Sequence, residues 1–259
     1  MLKLALLGRD IGYTKSPKIH AAIAAAIGEN IEFHVADVTY DVLESTVKTL
    51  LSDFDGFFVT KPYKTDVKKY LDCDIAGGIN VVRSRDKAVF NTDGDGFMRA
   101  LDRNFGSWND DVGSALVLGA GGSAYSVASS LVRAGKKVYV LNRTLMHAVK
   151  LCTAVKAELY VNQPTELAVN CTSLGTEGED VLRSLCVLPS FKYAFDLVYA
   201  RAVTPFMRRS ESAGAAVANG TDMLIYQAIL GDGTLLGKEL DVEDVYDKAR
   251  EILEHSGEI

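Results

Sequence analysis

Ala115-Leu116-Val117-Leu118-Gly119-Ala120-Gly121-Gly122-Ser123-Ala124, near the middle of the chain, reads as a buried strand running through a glycine turn into a helix. Gly119, Gly121 and Ala124 occupy the three small-residue positions of a dinucleotide-binding turn. The first permits the tight turn, the second lets backbone approach a pyrophosphate, and the third lets helix pack closely on strand. Ala120, Gly122 and Ser123 complete the run, and the helix N-terminus faces the anion. More than a hundred residues precede this turn, so they need a task of their own.

The 259 residues suffice for one large or two modest domains, taking about 150 residues per domain. A hydrophobic content of 48% with 24% charged residues suits an ordinary globular protein. Net charge is -6 and the Lys/Arg groupings are isolated pairs, so nucleic acid is not expected as a partner. The apolar start, Met1 to Leu7, is too short for a signal segment or membrane span and reads as a buried strand. The four cysteines include no C-x-x-C pair, and the four histidines are scattered. Together they point to a cytoplasmic protein with reduced thiols and no metal site.

Periodicity sets out an α/β chain. Strands are expected at Leu2–Gly8, Ile31–Val38 and Gly56–Thr60, with a hairpin from Ile79–Arg83 and Lys87–Asn91. Ser16-Pro17 opens a helix, with the Ser16 hydroxyl as N-cap, that ends at Gly28. Tyr40–Ser52 is helical, a further helix starts at Pro62, and Asp93-Gly94-Asp95 leads into another. The second part has strands at 115–119, 136–142, 157–161, 167–172, 193–198 and 215–218, alternating with helices as in a doubly wound parallel sheet. Helices at Thr221–Leu230 and Asp241–His255 follow, with Asp241 as N-cap.

Three local runs carry chemistry. Thr14 and Ser16 place two hydroxyls just before a helix, which suits an anion such as a carboxylate and equally an ordinary N-cap worth about 1 kcal/mol. Lys64 falls in the first turn of the helix expected at Pro62. A helix dipole there would lower its pKa towards an acid/base range, or it is a solvated lysine. Asp93, in Asn91-Thr92-Asp93-Gly94, is either a cap or a functional carboxylate.

These runs together resemble the shikimate dehydrogenase family. Its S-x-S-P entry appears as Thr14 to Pro17, its N-V-T-x-P-x-K run as Phe58 to Lys64, its G-A-x-N-T run as Gly77 to Val81, and its N-T-D-G run as Asn91 to Gly94. Asn142-Arg143-Thr144, Asn170 to Gly175, Asp196 to Tyr199 with Thr204-Pro205-Phe206, and Asn219-Gly220 with Met223-Leu224 and Gln227-Ala228 follow in order. The resemblance implies an N-terminal α/β substrate domain, a Rossmann-type doubly wound NADP-binding domain, and C-terminal helices that return to the first domain. The expected division is residues 1–98 and 222–259 against 99–221.

It further implies reversible reduction of 3-dehydroshikimate to shikimate by NADPH, an oxidoreductase step in aromatic amino acid biosynthesis. Lys64 and Asp93 match the catalytic lysine and aspartate, with Asp93 orienting Lys64. Thr14 and Ser16 would hold the substrate carboxylate, and Thr60, Asn80, Asp93, Tyr199 and Gln227 would surround the ring. Gln227 would reach the cleft between the domains. Thr172, Leu197 and Gly220 join the glycine turn as cofactor contacts. A monomer or homodimer is expected.

The choice of cofactor has its own support. No acidic residue stands about 20 positions after the first glycine to take an NAD ribose, and Asn142, Arg143 and Thr144 are there instead. Arg143 suits a 2′-phosphate, which favours NADP, unless it is a bare surface residue. Three positions depart from the family pattern: Thr14 for serine, Phe58 for asparagine, and His147 where a second cation is usual. Phe58 removes polar contacts close to the ring site. Thr14 and Phe58 leave two alternatives, a quinate/shikimate dehydrogenase of broader range and a weakly catalytic ligand-binding homologue. His20 and His34 read as packed or surface histidines.

Overall fold

Leu4 to Gly8 are buried on both sides, and this decides how the first half of the chain folds. The computed structural model describes residues 1–73, 75 and 77–259. It divides into two compact units, Met1–Thr92 with Ile225–Ile259, and Asp93–Leu224.

The first unit opens with β1 (Leu2–Gly8), α1 (Ser16–Ile27), β2 (Ile31–Asp37), α2 (Leu43–Asp53) and β3 (Gly56–Val59), and continues with β4 (Val81–Arg83) and β5 (Ala88–Phe90). Its sheet runs β2-β1-β3-β4-β5. The first three strands are parallel, and β4 and β5 form the expected antiparallel hairpin. Side chains alternate across β1 and β3. Ala5, Leu7, Phe57 and Val59 pack on Leu43, Val47 and Leu50 of α2, whereas Leu4, Leu6 and Phe58 pack on Ile11, Val81 and Leu235. Helical cover on both faces explains the unbroken apolar run in β1. Gly28 ends α1 in the left-handed region, at φ 69°, as its position after the apolar run predicts.

The second unit contains α3 (Asp93–Phe105), α4 (Trp108–Asp111), β6 (Ser114–Leu118), α5 (Gly122–Arg133), β7 (Lys137–Leu141), α6 (Leu145–Val155), β8 (Glu158–Leu159), β9 (Leu167–Asn170), α7 (Val181–Ser184), β10 (Tyr193–Asp196), α8 (Pro205–Ser212) and β11 (Ala216–Asn219). All six expected strands are present. They form one parallel sheet ordered β11-β10-β9-β6-β7-β8, the doubly wound Rossmann arrangement. Gly94 lets α3 approach α5: a Cβ there would lie 2.4 Å from Ser130 Oγ. The last two helices are α9 (Thr221–Leu236) and α10 (Val242–His255), and Asp241 caps α10 by accepting from Asp244 N. From Ile225 onward the chain belongs to the first unit, where α10 packs along α1.

Two sequence expectations fail locally. Ser16 is not the N-cap of α1: Lys15 is, already in helical conformation, and no side chain caps the helix. The Lys18 and Ile19 amides that a Ser16 cap would engage both donate to the Lys15 carbonyl at 3.1 Å, and the Ser16 amide donates to Thr14 Oγ1 at 3.2 Å. No α-helix starts at Pro62 either. Residues 61–65 form turns that lead into a 3₁₀ helix at Asp66–Tyr70. The Lys64 carbonyl accepts from Ile79 N at 2.8 Å, so a long-range partner takes the group an α-helix would have used.

At the end of β10, the fully buried Asp196 carboxylate accepts from Thr204 Oγ1 at 2.5 Å, Asn170 Nδ2 at 2.9 Å and Val198 N at 3.0 Å. Thr204 Oγ1 also caps α8. Burial pushes the Asp196 pKa up to about 6 against the pull of its three donors. Because the folded pKa exceeds the unfolded one, the unfolded chain binds fewer protons here as pH rises, and stability falls through this window. We expect the contribution of Asp196 to decrease by on the order of 3 kcal/mol between about pH 4 and pH 6.5. Urea unfolding of wild type and Asp196→Asn across this range reads it as a changing difference; a constant difference would contradict it.

Candidate active site

The first cluster lies where β1 leaves the sheet and α1 begins. Thr14 Oγ1 donates to Ser16 Oγ at 3.1 Å, so the two hydroxyls expected to act together are in contact. Ser16 is buried and Thr14 half-buried. Of the first backbone groups of α1, the Ser16 amide is taken by Thr14 Oγ1, Pro17 carries no N–H, and the Lys18 amide donates to the Lys15 carbonyl at 3.1 Å, so what this end offers an anion is the pair of hydroxyls. Thr60, just after β3, is anchored by its amide to the Leu7 carbonyl at 2.9 Å. Its methyl group would meet a Cβ at Gly8 at 2.6 Å, so glycine there lets the two strand ends come close.

Lys64 is half-buried, four residues beyond Thr60. It stands in the turn at 61–65, outside any α-helix, so the helix dipole expected from the sequence does not act on it. Its placement comes instead from both sides of the turn: Tyr63 N donates to Thr60 O at 2.9 Å, and Lys64 O accepts from Ile79 N.

A buried amide network holds the next group. Asn80 Nδ2 donates to Thr92 Oγ1 at 2.9 Å and to Gln227 Oε1 at 3.1 Å, while Asn80 Oδ1 accepts from Thr92 N at 2.8 Å. Thr92 Oγ1 donates in turn to the Gln227 carbonyl at 2.8 Å. Asn80 and Gln227, far apart in sequence, are thus brought together as expected. Thr92, which the sequence reading passed over, is the piece between them. Its signal was present, since it belongs to the Asn91 to Gly94 run.

Asp93 opens α3 in the second unit and is buried. An acidic side chain in a first helical turn is favoured by the dipole.

The glycine turn of the second unit fits a dinucleotide phosphate. Gly119 has φ 110°, a conformation natural to glycine, and a Cβ there would lie 3.1 Å from Thr172 Cγ2. Gly121 is the N-cap of α5 and has open space around it, and no side chain caps the helix. Gly122 begins α5, Ala120 and Ser123 are half-buried, and Ala124 is fully buried where the helix meets the sheet. Thr172 is fixed by Asn170 Oδ1, which accepts from its amide at 3.1 Å and its hydroxyl at 2.7 Å. Gly220 is obligatory, because a Cβ would sit 2.2 Å from the Leu197 carbonyl oxygen. Leu197 and Gly220 are thereby adjacent, and Tyr199 follows in the same loop, half-buried.

Past β7, Asn142 Nδ2 donates to the Thr144 carbonyl at 3.0 Å, and Thr144 is the N-cap of α6. Arg143 between them is exposed, and among the described residues it has no hydrogen-bond or ion-pair partner. A guanidinium so placed can grip a phosphate with two parallel N–H donors. His147 is exposed on α6, one turn on.

Phe58 is buried in β3. Its ring is 3% exposed and packs in the core with Leu4, Leu6 and Val81. Among the described residues no group of three or more His, Cys, Asp or Glu could hold a metal ion, and no helix is long and apolar enough to cross a membrane.

Comparison with known proteins places this arrangement in a family. Residues 6–82 match the shikimate dehydrogenase substrate-binding domain, and residues 101–172 match shikimate / quinate 5-dehydrogenase. A shikimate dehydrogenase (NADP(+)) of Alkaliphilus oremlandii is 33% identical over 253 residues, covering 87% of this chain and 88% of that protein. One from Thermus thermophilus is 31% identical, covering 98% and 99%. The crystal structure of the Thermus thermophilus shikimate 5-dehydrogenase in complex with NADP(H) and shikimate is similar with a TM-score of 0.81 at 29% identity, covering 98% of this chain and all of that one. The enzyme of Aquifex aeolicus is similar with a TM-score of 0.83 at 26% identity, covering 96% and 98%. With both halves matched in order and curated relatives similar along nearly its whole length, this chain belongs to the shikimate dehydrogenase family.

Proposed function

We propose that this protein is an NADP-dependent shikimate dehydrogenase that reversibly reduces 3-dehydroshikimate to shikimate, a step towards the aromatic amino acids. The observation that carries the reading is the likeness, along the whole chain, to a structure that holds both NADP(H) and shikimate. The substrate residues Thr14, Ser16, Thr60, Asn80 and Gln227 stand in the first unit with Lys64. The cofactor residues stand in the second, with Asp93 and Tyr199. The protein acts on a small molecule in the cytoplasm, as a monomer or homodimer.

NADPH supplies the hydride when bound. Gly119 to Ala124 would receive its pyrophosphate at the α5 N-terminus, where unpaired amides and the dipole favour an anion. Asn142, Arg143 and Thr144 would take the 2′-phosphate, with Thr172, Leu197 and Gly220 around the remainder. Thr14 and Ser16 hold the substrate carboxylate with their paired hydroxyls. Thr60, Asn80, Tyr199 and Gln227 bind around the ring, and the buried network through Thr92 keeps Asn80 and Gln227 from turning away.

The Lys64 ammonium donates a hydrogen bond to the ketone oxygen, stabilises the negative charge that grows there, and delivers its proton to that oxygen. Asp93 accepts from the neighbouring ring hydroxyl. In the oxidative direction the neutral Lys64 amine takes the proton back. Phe58 acts from the core, so its replacement of asparagine does not disturb this chemistry directly.

Absorbance at 340 nm with shikimate and each nicotinamide cofactor tests the reading; no NADP reduction would overturn it. Lys64→Ala is expected to lower kcat by about two to four decades while changing shikimate binding far less. Equal turnover by that variant would make Lys64 a surface lysine. Arg143→Asp is expected to raise the KM for NADP by about tenfold or more with shikimate kinetics unchanged, since it replaces a charge-assisted contact by repulsion. Steady-state titration of NADP reads this directly.

A further inference from the structure

His20 and Asp232 form a buried pair that the proposed chemistry does not use. His20 lies on α1, four residues after Ser16 and therefore on the same helical face. Asp232 lies on α9, five residues after Gln227. The two side chains are 1% and 0% exposed, and His20 Nδ1 is 2.9 and 2.8 Å from the two carboxylate oxygens. A carboxylate in so apolar a setting is tolerated only when paired in good geometry.

Two aromatic rings pack against the imidazole. It stacks on Phe33 of β2, with centroids 4.2 Å apart and planes 13° apart, and it lies 4.4 Å from the Phe58 ring of β3. Gly231, next to Asp232, makes room for Phe58: a Cβ there would be 2.4 Å from Phe58 Cε1. The phenylalanine and the glycine therefore fit one another and confine the histidine.

We propose that His20 and Asp232 are positioning residues that set the spacing of α1 and α9, and so the separation between the carboxylate contacts at Ser16 and the ring contact at Gln227. The inference rests on the substrate assignment given above. Apolar packing tolerates sliding of one helix on another, whereas a short directional bond between confined groups does not. Neither residue touches substrate. Their effect is felt as binding of the whole shikimate molecule, in ground and transition state alike.

The test compares wild type with Asp232→Asn, which keeps an acceptor for His20, and with the apolar pair His20→Phe/Asp232→Leu. Replacing a buried ion pair by apolar residues of similar volume often preserves stability, and thermal unfolding checks it. We expect the double variant to raise the KM for shikimate about tenfold, with kcat within about twofold and the KM for NADP unchanged. Asp232→Asn should stay within about twofold of wild type throughout. If the double variant does not fold, His20→Leu/Asp232→Leu, which also leaves no buried polar group unpaired, carries the same comparison. A folded apolar variant with wild-type shikimate KM, or one in which both KM values rise together, overturns the proposal. So does Asp232→Asn behaving as the apolar variant does. Wild-type protein that fails to oxidise shikimate overturns the functional reading and this proposal with it, which separates that failure from the others.

Discussion

Asn80 holds three stretches of chain in place through one buried amide, and much of the first unit depends on it. Its side chain joins the end of the β4–β5 hairpin at Thr92 to the middle of α9 at Gln227, while its carbonyl accepts from Val59 N beside β3. The Asn80 and Thr92 groups are removed from water, so each needs its partner; leaving one unmade costs about 1 to 3 kcal/mol. The network therefore admits one arrangement of hairpin, strand and helix. That arrangement puts Gln227 beside Asn80, which is why a residue from the C-terminal part of the chain serves a unit built mainly from the N-terminal part.

Close approach of backbone is the second constraint, and it explains residues whose side chains do nothing. Gly8 admits Thr60, Gly94 admits Ser130, Gly220 admits the Leu197 carbonyl and Gly231 admits the Phe58 ring. In every case a methyl group would fall at or below 2.6 Å. Three of the four adjoin proposed site residues, so small residues bring the functional loops to their places as much as the functional residues themselves do.

Much of this was legible beforehand. Strand and helix periods are local, so the six strands of the parallel sheet, the Gly28 stop and the Asp241 cap could be read from patterns a few residues long. The glycine turn was equally readable, because its small residues answer to local sterics. The differences have separate causes. At Pro62 the local pattern favoured a helix, but the Lys64 carbonyl is engaged by Ile79, fifteen residues away. At Ser16 a cap was expected, and the Lys15 carbonyl took the Lys18 and Ile19 amides instead. The burial of Phe58 in the core was not legible, since strand alternation alone could not say which face was covered or by what.

The order of elements, the family, and the side chains proposed for the chemistry follow from the sequence, because they depend on residue type and short-range spacing. Three things had to await the folded chain: the bonds through Thr92 that fix Asn80 and Gln227, the turn that carries Lys64, and the enclosure of His20 with Asp232. Each joins residues distant along the chain, or takes a backbone group away from its local partner. Long-range hydrogen bonds of this kind leave no periodic trace. They are set when buried polar atoms must find partners in the space that packing leaves them.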